Sequence, residues 1–201
     1  MSEWDLALTV IRSIASAGGR TLIVGGWVRD RLLDKPSKDI DLEVYGLAAD
    51  QLHAILKTLG PVNTVGSSFT VYKLGPLDIA LPRTESKTGR GHRGFSISGN
   101  PGLSISDASR RRDFTINAIA WDPLTNEYYD PHNGQRDLHE RRLRMVDPLT
   151  FGEDSLRVLR AVQLSARLNF EVDADTIDVC RQIPLDDLPA ERIWTEFQKL
   201  L

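Results

Sequence analysis

The stretch LIVGGWVRDRLL at residues 22–33, with KDIDLEV at 38–44 close behind it, decides how this chain folds. Thr21, Leu22, Ile23 and Val24 form a short apolar run beside two glycines, which reads as a strand ending in a tight turn. Residues 27–33 have helical character and run into a Pro-Ser-Lys loop. Beyond the loop, Asp39, Asp41, Glu43 and Tyr45 alternate with Ile40, Leu42 and Val44. A period of two describes a strand with one acidic face, its apolar face turned towards helices.

Upstream, Leu8, Ile11, Ile14 and Ala15 recur at helical spacing, and Gly18-Gly19 ends that helix. Downstream, residues 47–59 supply another helix, and 70–74 and 77–81 read as strands joined by a Gly75-Pro76 turn. Residues 82–106 are rich in Gly, Ser, Arg and Lys without an apolar period, so they read as a mobile loop. Residues 114–121 and 127–130 read as strands, and everything after Pro148 as helices with acid-rich connections. The expected architecture is α+β with a mixed sheet: a head over residues 1–147 and a small helical neck over 148–201.

With 201 residues, 41% of them hydrophobic, the chain can bury a proper core. No stretch has the uninterrupted apolar run of a signal peptide or a membrane span. A lone Cys180 excludes an internal disulfide and a cysteine-built zinc site, and the chain reads as cytoplasmic. The formal net charge of −3 argues against a protein that coats nucleic acid, but it hides an asymmetry. Residues 83–112 carry seven Lys or Arg against two acids, whereas residues 171–201 carry eight acids against three bases. The basic stretch suits phosphate.

Asp39 and Asp41, two apart on a strand, would point both carboxylates to one face, and hard oxygen ligands favour Mg²⁺. Ahead of them, Gly25 and Gly26 at a strand-to-helix turn expose backbone N–H groups that can cradle a triphosphate, with Arg29 one turn further in. A D-x-D pair or a Gly-Gly turn alone is a common structural feature. Their order, Gly-Gly, Arg29-Asp30, then Asp39-x-Asp41, is far more specific, because phosphoryl transfer needs a phosphate cradle beside a metal site.

At this point the sequence resembles the class II tRNA nucleotidyltransferase and bacterial poly(A) polymerase family, whose first signature is similar to LIVGGWVRDRLL…KDIDLEV. RRDFTIN at 111–117 resembles the family's second motif, DPHNGQRD at 130–137 its third, EDSLR at 153–157 its fourth and ERIWTEFQKLL at 191–201 its fifth. The resemblance implies a polymerase β-like nucleotidyltransferase palm that adds CMP or AMP from CTP or ATP to an RNA 3′ end, tRNA being the expected acceptor. It implies that Arg111, Asp113 and Asn117 hold sugar and triphosphate, and that a third carboxylate, matched by Asp78, completes the metal site. Glu43 is the rival, but along a strand it lies roughly 13 Å beyond Asp39. The family usually continues into helical domains that grip the tRNA body. Here the chain stops at Leu201, so weak, salt-sensitive RNA binding is expected.

Asp154 and Arg157, three apart, would be neighbours on one helical face. Adenine and cytosine both present an amino donor beside a ring-nitrogen acceptor, matching a carboxylate beside a guanidinium, whereas guanine and uracil present the reverse. The pair would therefore favour ATP and CTP, with Arg160 in support. A poly(A) polymerase or an enzyme adding only C or only A shares these motifs. A catalytically silent RNA-binding module is the alternative of another class, and transfer to a small molecule is a third.

Overall fold

The computed structural model describes residues 2–37, 39–65, 70–87 and 95–200. Lys38, Arg90, His92, Arg93 and Leu201 lie outside the described residues.

Helix α1 (Glu3–Ser16) opens with a capping box, in which the Ser2 hydroxyl accepts the Asp5 N–H and the Asp5 carboxylate accepts the Ser2 N–H. Its buried face runs through Ala7, Val10, Ile11 and Ile14, while Leu8 is half-buried and Ala15 exposed. The expected helix is there with its face turned by one position. Strand β1 (Arg20–Val24), helix α2 (Gly26–Leu32) and strand β2 (Asp41–Tyr45) follow as the opening stretch predicts. Asp39, however, precedes β2 and is exposed, so the acidic pair is not carried wholly on the strand. Neither is the other half of that face acidic surface: Glu43 is buried and hydrogen-bonded to Tyr45 at 2.8 Å.

After α3 (Ala49–Leu59) come β3 (Val62–Val65), β4 (Val71–Leu74) and β5 (Leu77–Ala80). Residues 83–99, expected as part of a mobile loop, contain an antiparallel ribbon of β6 (Arg83–Lys87) and β7 (Phe95–Gly99). Its signal is weak in sequence because Arg83–Lys87 has no apolar alternation and Phe95 and Ile97 alternate over only five residues. Helix α4 (Ile105–Arg110) then leads to a 3-10 turn (Thr115–Asn117), β8 (Ala120–Asp122) and β9 (Glu127–Tyr129).

Residues 114–121 are therefore not one strand. Phe114 and Ile116 alternate with Thr115 and Asn117, which mimics period two, but all four are buried. Thr115 donates to Asp137 at 2.5 Å and Asn117 bonds Arg29 and Asp113, so the polar partners draw the chain into a turn.

The last segments are α5 (Gly134–His139), β10 (Arg142–Leu143), α6 (Pro148–Phe151), α7 (Leu156–Leu168), β11 (Glu171–Val172), α8 (Ala174–Gln182) and α9 (Ala190–Gln198). Among the described residues the main sheet has seven strands in the order β3-β4-β5-β2-β1-β8-β9. The β2–β5 pair is parallel and its neighbours antiparallel, which makes the sheet mixed and the fold α+β. A short parallel pairing of β10 with β11 ties residues on either side of position 148. No helix of the described residues is long and apolar enough to cross a membrane.

Candidate active site

Where the central strand β1 ends and β2 begins, a cleft of about 290 Å³ opens, with residues of α7 also in its lining. It is lined by Gly25, Gly26, Arg29, Asp41, Arg111, Arg112, Asp113, Asn117, Asp154, Arg157 and Arg160. Every residue assigned in the sequence to the metal or the nucleotide is in this lining except Asp39 and Asp78, and Arg112 joins them. A larger groove of about 590 Å³ lies along α7 and α8, but Val158, Val162, Val172 and Ile177 make it apolar. Polar convergence, not size, marks the first cleft as the functional candidate.

The glycine turn exists because the backbone passes close to other groups. Gly25 has φ of 78°, and a Cβ there would stand 3.2 Å from Asp41 Oδ2. The Trp4, Trp27 and Trp121 rings, stacked at centroid distances of 5.6–6.0 Å, fix α2 against α1 and β8.

Asp41 and Asp78 are directly opposite each other across the parallel β2–β5 ladder. Burial pushes the Asp41 carboxyl up to about 6; Arg112 opposes this, and the charges of Asp78 and Asp39 reinforce it. Negative charge crowded around Asp41 makes the place electrostatically suited to a cation. Yet among the described residues no three His, Cys, Asp or Glu side chains are gathered tightly enough to hold a metal ion. Lys73 bonds Asp78 at 2.6 Å, which neutralises the third carboxylate. Asp39 and Asp41, which line one smaller cleft together, are the two carboxylates that could hold an ion.

Glu43 takes another part. Arg111 and Arg112 approach its Oε1 at 3.3 and 3.5 Å. Burial alone would raise Glu43, but Arg112 and Arg111 outweigh it and hold the carboxyl below its ordinary value. The buried carboxylate anchors two arginines at the mouth of the cleft.

A second network joins four elements. Buried Arg29 donates to Asn117 Oδ1 at 2.7 Å, and Asn117 Nδ2 donates to Asp113 Oδ1 at 3.0 Å. Arg160 from α7 donates to Asp113 Oδ2, with contacts of 2.7 and 2.5 Å. Glu196 from α9 stands 3.7 Å from Arg160. Burial would raise Asp113, but Arg160, Asn117 and the Phe114 N–H together lower it.

Asp154 and Arg157 line the same cleft without bonding each other through their side chains. Asp154 lies just before α7, not on its face, and its carboxylate receives a two-pronged contact from Arg192 of α9 at 3.1 and 2.9 Å. Arg157 donates to the carbonyls of Thr150 and Arg111 at 2.8 and 2.5 Å. Each retains capacity, since a carboxylate has about four acceptor sites and a guanidinium five donors. Arg192 and Glu196 were not singled out in the sequence; their place inside the fifth motif was the available signal.

Fold and cleft together define a nucleotidyltransferase-type head, with a glycine turn and an acidic strand edge facing a helix that carries arginines. Residues 21–144 match the poly A polymerase head domain, and the chain belongs to that family. The multifunctional CCA protein of Stenotrophomonas maltophilia (strain K279a) is 45% identical over 189 residues, which cover 89% of this chain and 45% of that protein. The multifunctional CCA protein of Pseudomonas fluorescens (strain Pf0-1) is 45% identical over 188 residues, 44% of its length. Among solved structures, the Bacillus stearothermophilus CCA-adding enzyme in complex with CTP has a TM-score of 0.81 at 31% identity, covering 100% of this chain and 49% of that one. The Thermotoga maritima CCA-adding enzyme complexed with tRNA has a TM-score of 0.78 at 28% identity, over 100% and 48%. The chain spans less than half the length of the curated relatives it matches.

Proposed function

We propose that this chain is an RNA 3′-terminal nucleotidyltransferase that transfers CMP or AMP from CTP or ATP to an RNA 3′ end, tRNA being the intended acceptor. The observation that carries the reading is the convergence of the glycine turn, Asp41, five arginines and Asp154 on one cleft. Membership of the poly A polymerase head domain family, and relatives named as CCA proteins, support it.

Asp39 and Asp41 would hold Mg²⁺, with Asp78 available if it leaves Lys73. Bound there, the ion would activate the attacking hydroxyl and neutralise charge on the leaving pyrophosphate. Gly25 and Gly26 leave room for the triphosphate, and Arg29 and Arg111 offset its charge. Asp113 and Asn117 face the sugar and keep Arg29 and Arg160 in place. Asp154 accepts from the amino group of cytosine or adenine while Arg157 donates to the adjacent ring nitrogen. The RNA 3′-hydroxyl attacks the α-phosphorus, a phosphodiester forms, and the bond to pyrophosphate breaks. In domain terms, residues 1–147 are the head and 148–201 a neck that reads the base.

The test is extension of a labelled tRNA lacking its 3′ end, with Mg²⁺ and each nucleoside triphosphate separately. Extension by CTP or ATP is expected, with none for Asp39→Ala/Asp41→Ala. The ladder also distinguishes C addition, A addition and poly(A) synthesis. No extension at high enzyme and RNA concentrations would contradict transfer and favour a binding module.

A further inference from the structure

Three charged residues from three adjacent strands form one row across the sheet: Lys73 of β4 is opposite Asp78 of β5, and Asp78 is opposite Asp41 of β2. The neighbouring row is Tyr72, Ile79 and Leu42, all buried in the core. A slip of one residue would exchange the two rows between core and surface, so the apolar row pins the charged one. Strand pairing, rather than the reach of a long side chain, sets Lys73 against Asp78.

The Lys73 ammonium bonds Asp78 Oδ1 at 2.6 Å, and both side chains are close to half exposed. Asp78 acts on the ammonium most strongly, through that hydrogen bond, and the charges of Asp41 and Asp39 act on it as well. Asp41 and Asp78 in turn line one cleft of about 170 Å³. A cation tethered to the sheet therefore stands beside the carboxylates to which the metal ion is assigned. Exposed ion pairs are weak, so a divalent ion can take Asp78 from it.

We propose that Lys73 is a positioning residue that acts through Asp78: it competes with the metal ion for this carboxylate and so sets how firmly the site holds the ion. The proposal rests on the reading of Asp39 and Asp41 as the metal site. Removing the ammonium acts twice in one direction, because it takes a positive charge from the site and frees Asp78 to join the ligands. With the lysine in place, the site can exchange its ion from one turnover to the next.

The experiment titrates the whole chain, without nucleotide or RNA, with Tb³⁺, a hard cation that takes oxygen ligands, and then displaces it with Mg²⁺. Luminescence gives the affinity, and its lifetimes in H₂O and D₂O count the waters left on the ion. Lys73→Met is expected to bind Tb³⁺ roughly fivefold more tightly, the upper range for loss of an exposed ion pair. It should also carry about one water fewer, since each added carboxylate ligand displaces solvent. Lys73→Arg, which keeps the charge, should stay close to wild type, and Lys73→Met/Asp78→Asn should return to the wild-type affinity and water count. Unchanged or weaker binding by Lys73→Met overturns the proposal and leaves the metal reading in place. So does a gain that survives Asp78→Asn, or tighter binding with an unchanged water count, which would mean that charge alone acts. If neither wild type nor Lys73→Met binds Tb³⁺, or if binding survives Asp39→Ala/Asp41→Ala, the metal reading fails with it.

Discussion

At Gly25 a side chain would meet Asp41 Oδ2 at 3.2 Å on a backbone with φ of 78°. Gly25→Ala therefore costs about 1–2 kcal/mol from the left-handed conformation alone, before any displacement of the carboxylate. A lower denaturant midpoint together with weaker CTP binding is the expected pair of readings. A midpoint unchanged from wild type would show that the turn relaxes freely. Asp154 makes a second residue-level case. Arg192 grips its carboxylate from α9, so the edge that would meet the base is oriented from outside the motif that contains it. Arg192→Ala should lower the preference for CTP over UTP, measured as kcat/KM, by about tenfold. Equal loss for both nucleotides would mean that Arg192 only supports the fold.

Helix α2, the Thr115–Asn117 turn, α7 and α9 are held together by the chain Arg29, Asn117, Asp113, Arg160, Glu196. Its centre is a buried carboxylate whose pKa is lowered on folding. A lowered carboxylate stabilises the fold above its unfolded value, and that contribution is lost as pH falls through the folded value. Asp113→Asn should then be less stable by about 3–5 kcal/mol at neutral pH, because Arg160 loses its counter-charge. Thermal unfolding across pH should show the difference narrowing below about pH 4, near the ordinary Asp value. A gap independent of pH would contradict the assignment.

Elements of this kind also show what a sequence can and cannot disclose. β1 and β2 were legible because their apolar runs pack directly into the sheet. The α4-to-β8 segment was not, since Thr115 and Asn117 are polar yet buried, and only partners distant in sequence, Asp137 and Arg29, explain them. Gly134 belongs to the same category: a Cβ there would stand 2.2 Å from Thr115 O, a close approach no local pattern reveals. Asp39 and Asp41 were found as a pair, but Lys73 on Asp78 and Arg192 on Asp154 depend on strand register and helix packing.

Across the whole molecule, the net charge of −3 conceals a division of labour. Arg111 and Arg112 bring the end of the basic stretch into the first cleft, and α7 supplies Arg157 and Arg160 to the same lining. Nucleotide recognition, on this account, needs head and neck together but needs no RNA template. The most direct measurement is calorimetric titration of CTP, ATP, GTP and UTP into the protein with Mg²⁺ and without RNA. The account predicts that CTP and ATP bind at least about tenfold more tightly than GTP and UTP, a difference of about 1.4 kcal/mol, and that Asp154→Ala removes the difference. Equal affinity for all four nucleotides would contradict it.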